Sequence, residues 1–146
     1  MADLRTIFHD LVRLEIELWD TVDAALRSAH DLPVTWFEIL NLLDQTGGCR
    51  VQDMAEEIGI TVGGVSKVVD RIENAGLCAR RPNPEDRRSS LVELTAAGRR
   101  VLDGATKIVD AQLQERIGSV LHETELNQLA TVLARLRTVD SSQEPN

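Results

Sequence analysis

The chain has no tyrosine, two phenylalanines, two tryptophans and two cysteines in 146 residues. Cys49 and Cys78 are too few and too unpatterned for a disulfide framework or a zinc site, so free thiols are the simple reading. No apolar run approaches the roughly 20 residues that cross a bilayer. The opening MADLRTIFHD also lacks the basic stretch and apolar core of a secretion signal. A cytoplasmic protein with no membrane part is expected. His9, His30 and His122 are scattered, and neither a Gly-rich phosphate loop nor a metal-ligand cluster occurs. The sequence therefore offers no enzyme constellation, no metal site and no cofactor site. No internal repeat is present, and the length suits one structural domain able to bury a core unaided.

Basic residues are also scarce, with a net charge of -8. At first sight that argues against nucleic acid, because affinity for phosphate needs local positive charge. Distribution reverses the argument: residues 61–100 hold eight basic side chains against five acids, while the segments on both sides are acidic. A local basic footprint on an acidic body discourages indiscriminate binding.

From Asp3 to about Ala29 there is no Gly or Pro, and Leu4, Phe8, Leu11, Leu18, Val22 and Ala25 recur at helical spacing. A second row, Val12, Ile16, Trp19 and Leu26, widens the stripe beyond what one partner needs, which suggests a subunit interface. After Pro33, Thr35 is placed to cap a second helix, with Glu38 completing a capping box, and that helix ends near Gly47. Cys49 to Val51 suits a very short strand. Val51, Met54, Ala55 and Ile58 then line one face of a short helix closed by Gly59. The next helix starts with Thr61 as N-cap and stops before Gly76. Two helices joined by a short Gly-containing turn make a helix-turn-helix candidate.

A hairpin is expected next: Leu77 to Arg81, a turn over Pro82 to Asp86, and Ser89 to Leu94. Thr95 caps a long helix running to about Gly118. A final helix from about Glu123 to Val139 carries Leu126, Leu129, Leu133 and Leu136 as a coiled-coil-like seam. The parts are residues 1–32 and 96–140 as dimerisation helices, 33–95 as the DNA-binding region and 141–146 as a disordered tail. The class is mainly α with a small β-hairpin.

The central stretch carries the chemistry. At about 100° per residue, Val62, Val65, Val68, Val69 and Ile72 face inward, while Gly63, Gly64, Lys67, Asp70, Arg71 and Asn74 face outward. The outward groups and the helix N-terminus suit phosphates and base edges. Gly63 and Gly64 each cost about 1 kcal/mol relative to Ala inside a helix. They either let the backbone approach DNA closely or lie in a frayed first turn. Arg80, Arg81, Arg87 and Arg88 cluster about the hairpin loop, a shape suited to minor-groove insertion. Asp86 is expected to orient one of these arginines through a charge-assisted bond.

The run Asp86-Arg87-Arg88 through Leu94-Thr95 and Gly98 resembles the wing signature of the MarR family of winged-helix regulators, D-x-R followed by L-T-x-x-G. Val68-Val69-Asp70-Arg71-Ile72-Glu73 through Gly76-Leu77 is similar to the end of that family's recognition helix, and Asp53 to Ile60 to the helix before it. The resemblance covers nearly the whole chain. It implies a homodimer on double-stranded DNA, with recognition helices in successive major grooves of a pseudo-palindromic site and wings in the flanking minor grooves. It makes Arg88 the wing arginine, Asp86 its motif aspartate and Thr61 to Arg71 the base-reading face. The expected DNA contacts are Thr61, Val62, Gly63, Gly64, Ser66, Lys67, Arg71, Arg81, Arg87, Arg88 and Ser89. Gly63-Gly64 departs from the Ser, Pro or Thr more usual there.

The resemblance further implies a repressor released by a small, often phenolic, effector, for which His9, Trp19, His30 and Trp36 are the candidate lining. Two alternatives stay open: a redox regulator using Cys49 and Cys78, and a winged-helix interaction module that does not bind DNA.

Overall fold

The computed structural model describes residues 1–138, so Val139 and the tail expected to be disordered lie outside the described residues. The class is as expected. Among the described residues the helices are α1 (Leu4–His30), α2 (Val34–Thr46), α3 (Val51–Ile58), α4 (Val62–Asn74), α5 (Ala96–Leu113) and α6 (Glu123–Thr138). The strands β1 (Cys78–Pro82) and β2 (Ser90–Leu94) form an antiparallel pair. The chain groups into two compact units, divided between Val109 and Asp110.

In the first unit a core of Leu26, Ile39, Leu40, Leu43, Met54, Val65, Val69, Ile72 and Val92 is fully buried. Each of its larger side chains contributes about 1.5–3 kcal/mol by leaving water. Residues from α1, α2, α3, α4 and the hairpin share this core, so the helix-turn-helix and the wing fold on one apolar centre. The stripe of α1 is different: Val22 and Leu26 are buried, but Leu4 is 80% and Phe8 70% exposed. In the second unit no residue of α6 is buried, and Leu129, Val132, Leu133 and Leu136 are all exposed. A five-residue π-helical segment, Gln114–Gly118, follows α5.

Three local expectations change. Thr35 does not cap α2; Pro33 is the N-cap and has no side chain to offer, so Asp23 of α1 accepts the Val34 N–H at 2.9 Å instead. That bond, with a further one from Arg27, holds the Asp23 carboxyl below its ordinary range. Glu38 is left half-buried with no ion-pair partner among the described residues, and burial pushes its carboxyl above the usual range. The strand expected at Cys49 to Val51 shrinks to a single bridge between Cys49 and Val92, because Arg50 and Asp53 close the start of α3 and Val51 already belongs to it. Strand β1 lies one residue later than expected and β2 starts one residue later, placing Pro82 at the end of β1 opposite Ser90.

The Leu94-Thr95 to Gly98 sequence acts as a joint. The Thr95 hydroxyl donates to the Gly76 carbonyl at 2.6 Å and accepts from the Gly98 N–H at 3.0 Å, capping α5 and holding the end of α4 together. A Cβ on Gly98 would lie 1.9 Å from the Leu77 carbonyl oxygen, so only glycine lets α5 pass the root of the wing.

Candidate nucleic-acid interface

The hydroxyl of Thr61 accepts the Gly64 N–H at 3.0 Å, and the Val65 N–H reaches the Thr61 carbonyl at 2.9 Å. The first turn of α4 is therefore formed, and the frayed-turn reading of Gly63-Gly64 falls away. A Cβ at Gly64 would crowd that capping hydroxyl at 3.0 Å, whereas one at Gly63 would meet nothing within 4 Å. Val65, Val69 and Ile72 face the core as expected, and Val68 packs partly against it. Val62 does not; at the first turn it overshoots the core and is 52% exposed. Gly63, Lys67, Asp70, Arg71 and Asn74 are exposed, and Ser66 is half-buried beside them.

The wing loop is built around Asn83, the one buried polar side chain among the described residues. Its amide donates to the Ser89 hydroxyl at 3.0 Å and its carbonyl accepts the Glu85 N–H at 3.1 Å. Asp86 accepts the Arg88 backbone N–H at 2.9 Å rather than a guanidinium, so it orients the loop backbone and not an arginine side chain. Ser89 donates its hydroxyl to the Asp86 carbonyl. Asn83 and Ser89 thus carry a structural part that spacing alone did not assign; the Asx-type pattern Asn-Pro-Glu could have signalled it.

The arginines then separate. Arg81 pairs with Glu93 across the ladder at 2.7 Å. Arg80 bonds Asp70 at 2.7 Å and Glu73 at 3.0 Å. Partial burial works against the Arg80 charge, but these carboxylates outweigh it and raise the guanidinium pKa. Arg87 and Arg88 at the loop tip, and Lys67 and Arg71 on α4, are exposed and have no ion-pair partner among the described residues. Positive charge is thus available on one helix face and one loop, where the outward groups of α4 can meet bases and the tip can meet backbone or minor groove.

The four expected effector residues do not gather. His9 is exposed, the His30 ring lies over Gly104 on α5, and Trp36 packs against the core. Trp19 alone borders an open cleft of about 380 Å³ with Ile16, Ile58, Ile60, Glu15 and Asp20. Cys49 and Cys78 are both buried, and burial raises both thiol pKa values, that of Cys78 to about 11. A redox switch needs an exposed thiolate, which neither site provides. No cluster of three or more metal-ligating groups occurs among the described residues, and no described helix is long and apolar enough to cross a membrane.

The MarR family pattern matches residues 32–90, the region of α2, α3, α4 and the hairpin. The chain is 32% identical over 107 residues to the HTH-type transcriptional regulator MhqR of Bacillus subtilis, covering 73% of each chain. Among solved structures it is similar to CouR from Rhodococcus jostii RHA1 bound to p-coumaroyl-CoA, at 26% identity and a TM-score of 0.82, covering 96% of this chain and 95% of that one. The transcriptional repressor CouR on a 23-mer DNA duplex gives 28% identity and a TM-score of 0.78, over 88% of this chain and 89% of that one. Sco3205 of Streptomyces coelicolor, in complex with DNA, shares the fold at a TM-score of 0.84 and 20% identity, over 92% and 85% of the two chains. The chain belongs to the MarR family: it is a winged-helix, DNA-binding transcriptional regulator and not an enzyme.

Proposed function

We propose that this regulator is a homodimeric repressor that reads a pseudo-palindromic operator and leaves it when a small molecule binds. The observation that carries the DNA part is the set of four basic side chains, Lys67, Arg71, Arg87 and Arg88, exposed and without ion-pair partners among the described residues. Thr61, Val62, Gly63, Gly64 and Ser66 supply the rest of the reading face, with the wing tip in the flanking minor groove. Arg81, already paired to Glu93, is left out of the contacting set. Support for the dimer comes from apolar side chains that a lone chain leaves in water on α1 and on α6, in faces larger than single scattered residues.

The effector site is the cleft beside Trp19. Its wall includes Ile58, Gly59 and Ile60, which lead directly into the Thr61 cap of α4, so an occupant there shifts the reading helix. Among the described residues Glu15 and Asp20 line the cleft and no basic residue does, which favours a neutral or cationic aromatic over an anionic one. The test is titration of the purified protein against DNA from upstream of its own gene and against scrambled DNA. Preference for the former by more than about tenfold, falling steeply with salt, is expected. Equal weak binding to both would leave an interaction module as the better reading.

A further inference from the structure

Two carboxylates stand on the DNA-reading helix, where simple electrostatics says they should hinder binding. Asp70 lies on the outward face of α4 with its side chain 60% exposed, and Glu73 follows one turn later. Both bond Arg80 of β1. The Glu73 carboxylate accepts from the Arg80 guanidinium at 3.0 Å and from the Arg80 backbone N–H at 2.8 Å, using both of its oxygens. A second guanidinium nitrogen of Arg80 reaches Asp70 at 2.7 Å. Arg80 is opposite Val92 in the ladder, and Val92 is fully buried and also bridged to Cys49. The root of the wing is thereby tied to the helix on one side and to the core on the other.

We propose that Asp70, Glu73 and Arg80 are positioning residues that lock the wing to the recognition helix, so that both meet DNA as one rigid piece. Arg80 gives its charge to this lock and not to phosphate. The two acids then promote DNA binding in spite of their sign, because a loose wing must be ordered on binding and that ordering costs affinity. The guanidinium suits this lock, since two of its nitrogens reach the two carboxylates separately, where the single nitrogen of an ammonium would have to sit between both.

The inference rests on the DNA-reading function, and the experiment separates the two. Asp70→Asn and Glu73→Gln each remove a negative charge from the protein, which by charge alone should tighten DNA binding. The lock predicts the opposite: the double variant binds its operator about tenfold more weakly, with its fold and dimer retained by circular dichroism and sedimentation. In that background Arg88→Ala loses most of its effect, because the wing is no longer presented. Arg80→Lys behaves like the double variant. Hydrogen exchange of the hairpin amides in the free protein supplies a readout without DNA, and is expected to quicken by about tenfold. Unchanged or tighter binding, an Arg88→Ala effect that adds in full, or unchanged hairpin exchange would each overturn the lock. Faster exchange in a protein whose wild type does not distinguish its operator would keep the lock and remove the DNA-reading function instead.

Discussion

The root and the tip of the hairpin carry the same residue type and use it differently. At the root, Arg80 and Arg81 are each matched to carboxylates, Asp70 and Glu73 for the first and Glu93 for the second. At the tip, Arg87 and Arg88 have no ion-pair partner among the described residues, and Asp86 beside them is turned to the Arg88 backbone N–H. Charge neutralised inside the fold holds the wing in place; charge left open is available to a ligand. The division also explains how a chain of net charge -8 can serve on DNA, because its acids are spent in part on arginines that do not touch it.

Removing one arginine from each end of the hairpin should give unequal losses. Arg88→Ala is expected to weaken operator binding by about 1–3 kcal/mol with the melting temperature unmoved. Arg81→Ala should change binding and stability by less than about 0.5 kcal/mol, as befits an exposed ion pair. Equal losses from the two, read by fluorescence anisotropy and thermal melting, would erase the distinction between root and tip.

Much of this architecture was legible in the sequence because it depends on near neighbours. The apolar spacing of Val65, Val69 and Ile72 and the caps Thr61 and Thr95 are all local, and the structure places them as read. What was not legible is set by contacts distant in the chain. Asp23 caps α2 from α1, and Arg80 returns to α4 across the Gly76 turn, so neither Thr35 nor the arginine cluster could be assigned from spacing. Val62 fell at the end of a helical period where the core no longer reaches. The cleft beside Trp19 was the least legible part, since a surface made by α1, α2 and the turn before α4 leaves no short motif.

A gentler change tests the helix side of the interface. Gly63 has open space where a side chain would stand, so Gly63→Ala should stabilise the fold by up to about 1 kcal/mol through helix propensity. If the bare backbone is there to approach DNA, the same variant binds its operator several-fold more weakly. Stability and affinity moving in opposite directions is the expected pattern; both rising together would assign the contacts to side chains alone.

The smallest effect concerns a carboxyl group partly enclosed by the fold. Glu38 is half-buried and its carboxyl pKa is raised by burial, so the folded protein holds that proton more tightly than the unfolded chain does. Its contribution is favourable below the unfolded pKa and is lost as pH rises through the folded value. Glu38→Gln should therefore stabilise the protein at pH 7, by under about 1 kcal/mol, and the gain should disappear near pH 4. A gain of the same size at both pH values, in denaturant melts, would show that burial of the charge is not the cause.

Contact of the tip arginines with DNA would show in the salt dependence of operator binding. For the wild type, log affinity should fall steeply with log salt, and for Arg87→Ala combined with Arg88→Ala the slope should be shallower by about 2 per hairpin, one for each lost phosphate contact. Slopes that superimpose would contradict the claim and place the DNA contacts elsewhere on the protein.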